Sequence, residues 1–156
     1  MTTETTSTYL EERILSATPL ELIEILYDAA IDRVRTARLH LQAGDPMARS
    51  HDVSNALAIL SELTLALDEK EAKDSAATYS AIYLYLQKRL TEAHAQQSDT
   101  IFAEVEEMLG SLAENWRGVR DLVQKSRLAM EQNTVEATVV DSGSPDPARP
   151  ARSWNL

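Results

Sequence analysis

The sequence contains no cysteine and only four glycines. Without a thiol, the chain has no disulfide, no thiolate metal site and no cysteine nucleophile. Long apolar runs are missing as well, because none approaches the ~18 residues of a membrane-spanning helix. The Thr-rich start lacks the basic-then-apolar order of a signal peptide. We therefore expect a cytosolic protein that does not insert into a membrane.

Positive charge is scarce, with 15 Lys and Arg against 25 Asp and Glu and a formal net charge of −10. Such a chain repels nucleic-acid phosphates and anionic lipid surfaces. The one basic strip, Arg33, Arg35 and Arg38, has no interleaved aromatic residues. Counter-charges along a helix edge explain it better than a nucleic-acid site, so we expect no nucleic-acid partner.

Sequence motifs for catalysis and for metal or cofactor binding are also absent. His40, His51 and His94 stand alone, and a di-iron bundle site would need Glu-x-x-His on two helices. The chain has no Gly-rich phosphate loop, no His-Glu-x-x-His and no Gly-x-Ser-x-Gly. We therefore predict that the protein is not an enzyme and binds neither a metal nor a cofactor.

What the chain does contain is apolar residues at three- and four-residue spacing over four long segments, as in bundle helices. The predicted inward stripes are Leu20, Ile23, Tyr27, Ala30, Val34, Ala37 and Leu41; Val53, Ala56, Leu60, Leu63 and Leu67; Tyr79, Ile82, Leu86, Leu90 and Ala93; and Val105, Leu109, Leu112, Trp116, Val119 and Val123. No segment alternates with the period of two that is typical of a strand.

Two local signatures set the first helix boundaries. Thr18-Pro19-Leu20-Glu21 combines a capping box with proline at the first helical position, and the helix it starts runs to about Ala43. Gly44-Asp45-Pro46 then supplies a left-handed C-terminal cap, an N-cap and a first helical residue. A turn this short predicts an antiparallel hairpin.

The later boundaries are less sharply marked. A charged connection at 68–74 precedes a helix over roughly 75–96, and Ser98 or Asp99 caps the next one. That last pattern passes two glycines, so it is either one long helix or two helices with a break near residue 117. The composition after about residue 133 is rich in proline and small residues, which indicates disorder.

The expected fold is all-α: an antiparallel up-and-down four-helix bundle over 18–132, with a fifth helix if the last pattern breaks. A flexible N-terminal segment, 1–17, precedes it, and a disordered tail, 133–156, follows.

Helices one and three carry more apolar residues than one seam requires. Leu22, Ile25 and Leu26 lie outside the first stripe, and Tyr83 and Tyr85 lie beside the third. A wide core face explains such a surplus, and so does a groove that receives another amphipathic helix. Periodicity supports the two interpretations equally.

Several blocks resemble the FliS family of flagellar export chaperones. Residues 18–28, Thr-Pro-Leu-Glu-Leu-Ile-Glu-Ile-Leu-Tyr-Asp, are similar to its helix-one signature, which continues with Gly where this chain has Ala29. Gly44-Asp45 and Leu67-Asp68 match family pairs. Residues 82–86 and 89–93 resemble its Leu-Tyr-x-Tyr-Met and Arg-Leu-x-Glu-Ala blocks, and Trp116 stands where the family has Trp. The resemblance covers about residues 9–116.

The resemblance implies a chaperone that binds the C-terminal amphipathic region of flagellin, prevents its premature polymerisation and keeps it competent for type III export. It also implies that the N-terminal segment covers part of the binding surface, through Tyr9, Leu10 and Ile14, until flagellin displaces it. The candidate partner-binding residues are Tyr9, Ile14, Leu22, Ile25, Leu26, Asp28, Tyr83, Tyr85 and Arg89. The resemblance also allows export-gate and regulatory proteins as further partners, without identifying residues that bind them.

A second hypothesis is a scaffold bundle that self-associates, for instance as a homodimer, through the same apolar surplus and has no flagellin client.

Overall fold

The computed structural model describes residues 2–68 and 73–142, with side chains described over 8–67 and 77–137. Five helices make up nearly all of this part of the chain, and none of it is a strand. They are α1 (Thr2–Ser16), α2 (Pro19–Ala43), α3 (Pro46–Asp68), α4 (Lys73–Gln96) and α5 (Asp99–Ser142). The predicted all-α class is therefore confirmed.

The helix boundaries follow from the caps. Thr18 accepts a hydrogen bond from the amide of Glu21, whose carboxylate accepts one from the amide of Thr18 in return, both at 3.2 Å. Gly44 closes α2 in the left-handed region, with φ 72°. The Asp45 carboxylate then caps α3 by accepting from the amide of Ala48 at 3.1 Å. Of the two caps considered for α5, Ser98 is the one used, since its hydroxyl accepts from the amide of Ile101.

The described chain divides into two units, one that ends at residue 118 and one that begins at residue 119. In the first, α2, α3, α4 and the first part of α5 surround one hydrophobic core. Its largest fully buried side chains are Tyr27, Tyr83, Phe102, Ile23, Leu60, Leu63, Leu86, Leu90, Leu109, Val34 and Val105. Phe102 was not among the predicted inward residues.

The second unit contains the end of α5, which is one unbroken helix through both of its glycines. Val119 and Val123, which we predicted to face inward, are exposed, as is every described side chain from Asp121 to Ala137. The helix continues to Ser142, whereas we expected disorder from residue 133. The rest of that predicted tail, 143–156, lies outside the described residues.

The N-terminal segment forms helix α1, and its described side chains from Thr8 to Ser16 are all exposed. Its flexibility stays a prediction. Within the described parts of the chain, no helix is both long enough and apolar enough to cross a membrane.

Candidate functional site

Tyr83, one of the predicted surface residues, belongs to the core. Its side chain is 1% exposed, and its hydroxyl group pairs with that of Tyr27. The ring centroids of the two residues are 6.2 Å apart. Burial raises the pKa of Tyr83 to about 12 and the pKa of Tyr27 further still, so both hydroxyls stay protonated. The surface assignment of Tyr83 is thus corrected, because the buried face of α4 includes position 83.

The apolar surplus of α2 is mostly covered. Ile25 is buried, whereas Leu22 and Leu26 are half-buried and Leu26 packs against the core. Asp28 is exposed, and its carboxylate accepts a hydrogen bond from Arg117 Nη2 of α5 at 3.0 Å. These residues therefore contribute partial rather than open apolar surface.

The residues of α1 that were predicted to cover the binding surface face solvent. Tyr9 is 60% exposed, and Leu10 and Ile14 are exposed as well. The guanidinium of Arg13 lies 6.0 Å from the centre of the Tyr9 ring. In this conformation the apolar side chains of α1 remain available for contact.

A shallow apolar groove of about 550 Å³ lies between α4 and α5. We call it the α4–α5 groove, and its lining is Ala77, Thr78, Ala81, Ile82, Tyr85 and Met108. Tyr85 is the one member that we predicted as a binding residue, and it is 43% exposed. Ile82 was expected to face inward, but it is half-buried beside the core. Met108 gave no signal in the sequence, since only the folded helix pair brings it next to α4.

A polar network adjoins the groove at Tyr85. The Tyr85 hydroxyl donates to Glu104 Oε1 at 2.9 Å. Arg89 donates through Nη2 to Glu104 Oε2 at 2.6 Å and through Nη1 to Glu92 Oε2 at 2.7 Å. The hydrogen bonds from Arg89 and Tyr85 lower the pKa of Glu104, while those to Glu104 and Glu92 raise the pKa of Arg89. Arg89, one of the predicted partner-binding residues, is thus engaged within the chain.

The basic strip of α2 pairs with acidic side chains. Arg38 forms a two-point contact with the Asp99 carboxylate, at 2.8 and 3.0 Å, and Arg35 lies 3.6 Å from Glu106 of α5. Arg33 approaches Asp52 of α3 at 3.7 Å. These pairs account for the strip without a nucleic acid.

Among the residues whose side chains are described, no group of three or more His, Asp or Glu is placed to hold a metal ion.

Comparison with known proteins adds independent information. The family model described as "Flagellar protein FliS" matches residues 1–123. The flagellar secretion chaperone FliS of Salmonella typhimurium is 33% identical over 111 residues, which cover 70% of this chain and 82% of that protein. Its namesake in Bacillus subtilis is 25% identical over 119 residues, covering 76% and 88%. FliSB of Pseudomonas aeruginosa, also a flagellar secretion chaperone, is 24% identical over 110 residues, covering 70% and 87%.

Proposed function

The chain belongs to the FliS family of flagellar proteins, and from that premise we propose that it is a flagellar secretion chaperone whose client is the C-terminal amphipathic region of flagellin. The observation that carries the proposal is the match of the family model to residues 1–123, together with relatives named flagellar secretion chaperones. We propose that it acts in the cytosol, where it binds its client before export.

The α4–α5 groove supports the choice of client surface. Its lining is mostly apolar and consists of one face of α4 with Met108 of α5 beside it, a surface along which an amphipathic helix can pack. A client segment that is poorly folded as a monomer orders on binding and covers its own apolar face. Ordering the client costs free energy, so the contact must be extensive. Leu22 and Leu26, half-buried on α2, are the proposed second part of the contact.

No catalytic step is needed for this function. Binding buries the sticky client face, and release follows when another flagellar component competes for the same segment. We propose that the N-terminal helix α1 competes with the client for the binding surface of this chain. Its exposed Tyr9, Leu10 and Ile14 are apolar side chains that can exchange between solvent and the binding surface.

The experiment that tests the groove compares two substitutions on α4. Ala81→Glu places a charged side chain in the lining of the groove, at an exposed position where the fold has room. Leu84→Glu is the matched control, because Leu84 is 68% exposed on the same helix and is not part of the lining. We expect Ala81→Glu to weaken flagellin binding at least about tenfold, because the free-energy cost of burying one charge under the client exceeds about 1.4 kcal/mol.

Leu84→Glu should leave binding unchanged, and both variants should melt like the parent protein. Equal affinities for the two variants would move the client away from the α4–α5 groove. A bundle that binds no flagellin but associates with itself at rising concentration would instead support the scaffold hypothesis.

A further inference from the structure

Among the described residues that line the α4–α5 groove, Tyr85 is the one aromatic side chain, and it is 43% exposed. A side chain exposed to this extent ordinarily samples several rotamers. Here its hydroxyl is tied to Glu104 across the helix pair, at 2.9 Å. This hydrogen bond restricts the rotamers of the ring, which forms one wall of the groove.

Glu104 is itself held from its second oxygen. Arg89 Nη2 donates to Glu104 Oε2 at 2.6 Å, while Tyr85 occupies Oε1. Two charge-assisted or hydroxyl donors on one carboxylate fix both its position and its ionised form. The three side chains thus make a relay that begins at Arg89 on α4, crosses to Glu104 on α5 and returns to Tyr85 on α4.

Arg89 is placed to support this relay rather than to meet a client. Its Nη1 donates to Glu92 at 2.7 Å, so both terminal nitrogens already have acceptors within the chain. Its Nε is buried, with no hydrogen-bond partner among the described residues. A buried N–H without a partner costs free energy, so the two hydrogen bonds to Glu92 and Glu104 are what hold the guanidinium in this position.

We propose that Arg89 is a positioning residue which, through Glu104, fixes the Tyr85 ring as a preformed wall of the α4–α5 groove for the client helix. The inference rests on the proposed function for the identity of the client. A preformed wall lowers the entropy that must be lost on binding, so it raises affinity without any added contact. Immobilising one such side chain corresponds to about 2- to 10-fold in affinity.

The test is a double-mutant cycle with two readouts. The variants are Tyr85→Phe, which keeps the ring and removes the hydroxyl, Arg89→Met, and the two combined. The first readout uses no client: NMR of tyrosine labelled in the ring reports the mobility of Tyr85 in the Arg89→Met protein. The second is the dissociation constant of a flagellin C-terminal peptide. Glu92→Ala is the control, since it removes one acceptor of Arg89 without touching Glu104 or Tyr85.

We expect the Tyr85 ring to become mobile in Arg89→Met, and each single variant to weaken the peptide by about 2- to 10-fold. Since both act on one relay, the double variant should be no weaker than the singles. Arg89→Lys keeps the positive charge but loses the two-point geometry of the guanidinium, so its affinity should lie between those of the parent and Arg89→Met. It replaces Arg89→Met in the cycle if that variant fails to fold.

An unchanged Tyr85 ring in the Arg89 variants, or strictly additive losses of affinity, would overturn the relay. If the parent protein binds no flagellin peptide, the proposed function fails, yet the ring measurement still decides whether Arg89 positions Tyr85.

Discussion

At the residue scale, the core contains two tyrosine hydroxyls that satisfy each other. Tyr27 and Tyr83 come from different helices, and each is almost fully buried. A buried hydroxyl that loses its partner carries the full desolvation penalty of about 1–3 kcal/mol. The pair therefore links α2 to α4 in a way that a single substitution breaks and a double substitution does not.

Replacing Tyr83 by Phe leaves the Tyr27 hydroxyl buried and unpaired. We expect this change to lower the free energy of unfolding by about 1–3 kcal/mol, measured by urea denaturation. The Tyr27→Phe/Tyr83→Phe double variant removes both hydroxyls and should recover most of that loss. A double variant less stable than Tyr83→Phe would show that the two hydroxyls do not act as a pair.

The same pair predicts a loss of stability in alkali. Unfolded tyrosine ionises near pH 10, whereas burial raises the pKa of Tyr83 to about 12 and the pKa of Tyr27 above that. Above pH 10 the unfolded state thus binds fewer protons than the folded state, so stability falls as the pH rises. We expect the melting temperature to drop between about pH 10 and the folded pKa of Tyr83, about 12. The drop should be smaller in the Phe/Phe variant, and an equal drop would contradict this assignment.

The sequence pattern correctly predicted that Tyr27 is in the core but wrongly predicted that Tyr83 is on the surface. Tyr79 and Tyr83 are four residues apart, so a helix that turns one inward turns the other inward too. That spacing was available as a signal. The positions of Glu104 and Met108 beside Tyr85 were not, because they depend on how α4 and α5 pack against each other.

At the element scale, the caps determined how well boundaries could be predicted. The start of α2 and the turn from α2 to α3 carry capping residues in the expected order, and both lie where the sequence indicates. The end of α5 carries no such mark. The side chains of residues 121–137 are all exposed, so no buried face distinguishes helix from disorder there. Composition alone predicted disorder from residue 133, whereas α5 runs to Ser142.

Two glycines make a matched test of these elements. Gly44 has a positive φ of 72°, so Gly44→Ala should cost about 1–2 kcal/mol of stability. Gly110 lies inside α5, and a Cβ added there would meet nothing within 4 Å. Gly110→Ala should therefore raise the unfolding free energy by about 0.5–1 kcal/mol. Thermal denaturation of both variants checks the opposite signs, and two changes of the same sign would contradict the element boundaries.

At the scale of the whole molecule, the core residues all precede residue 118, and the family match ends at 123. A chain that ends at residue 123 should thus unfold cooperatively, with a melting temperature within a few degrees of the full chain, and should bind the same client. Circular dichroism during heating and a peptide titration measure the two properties. A shortened chain that fails to melt cooperatively would mean that residues 124–156 support the bundle.

We propose above that this bundle covers the C-terminal segment of flagellin. The most direct measurement is calorimetric titration of the protein with flagellin from the same organism, intact and lacking about its last 40 residues, a length comparable to what a bundle of this size can cover. We expect tight binding to intact flagellin alone, with a negative heat-capacity change from buried apolar surface. Equal binding of both forms, or binding of neither, would contradict it.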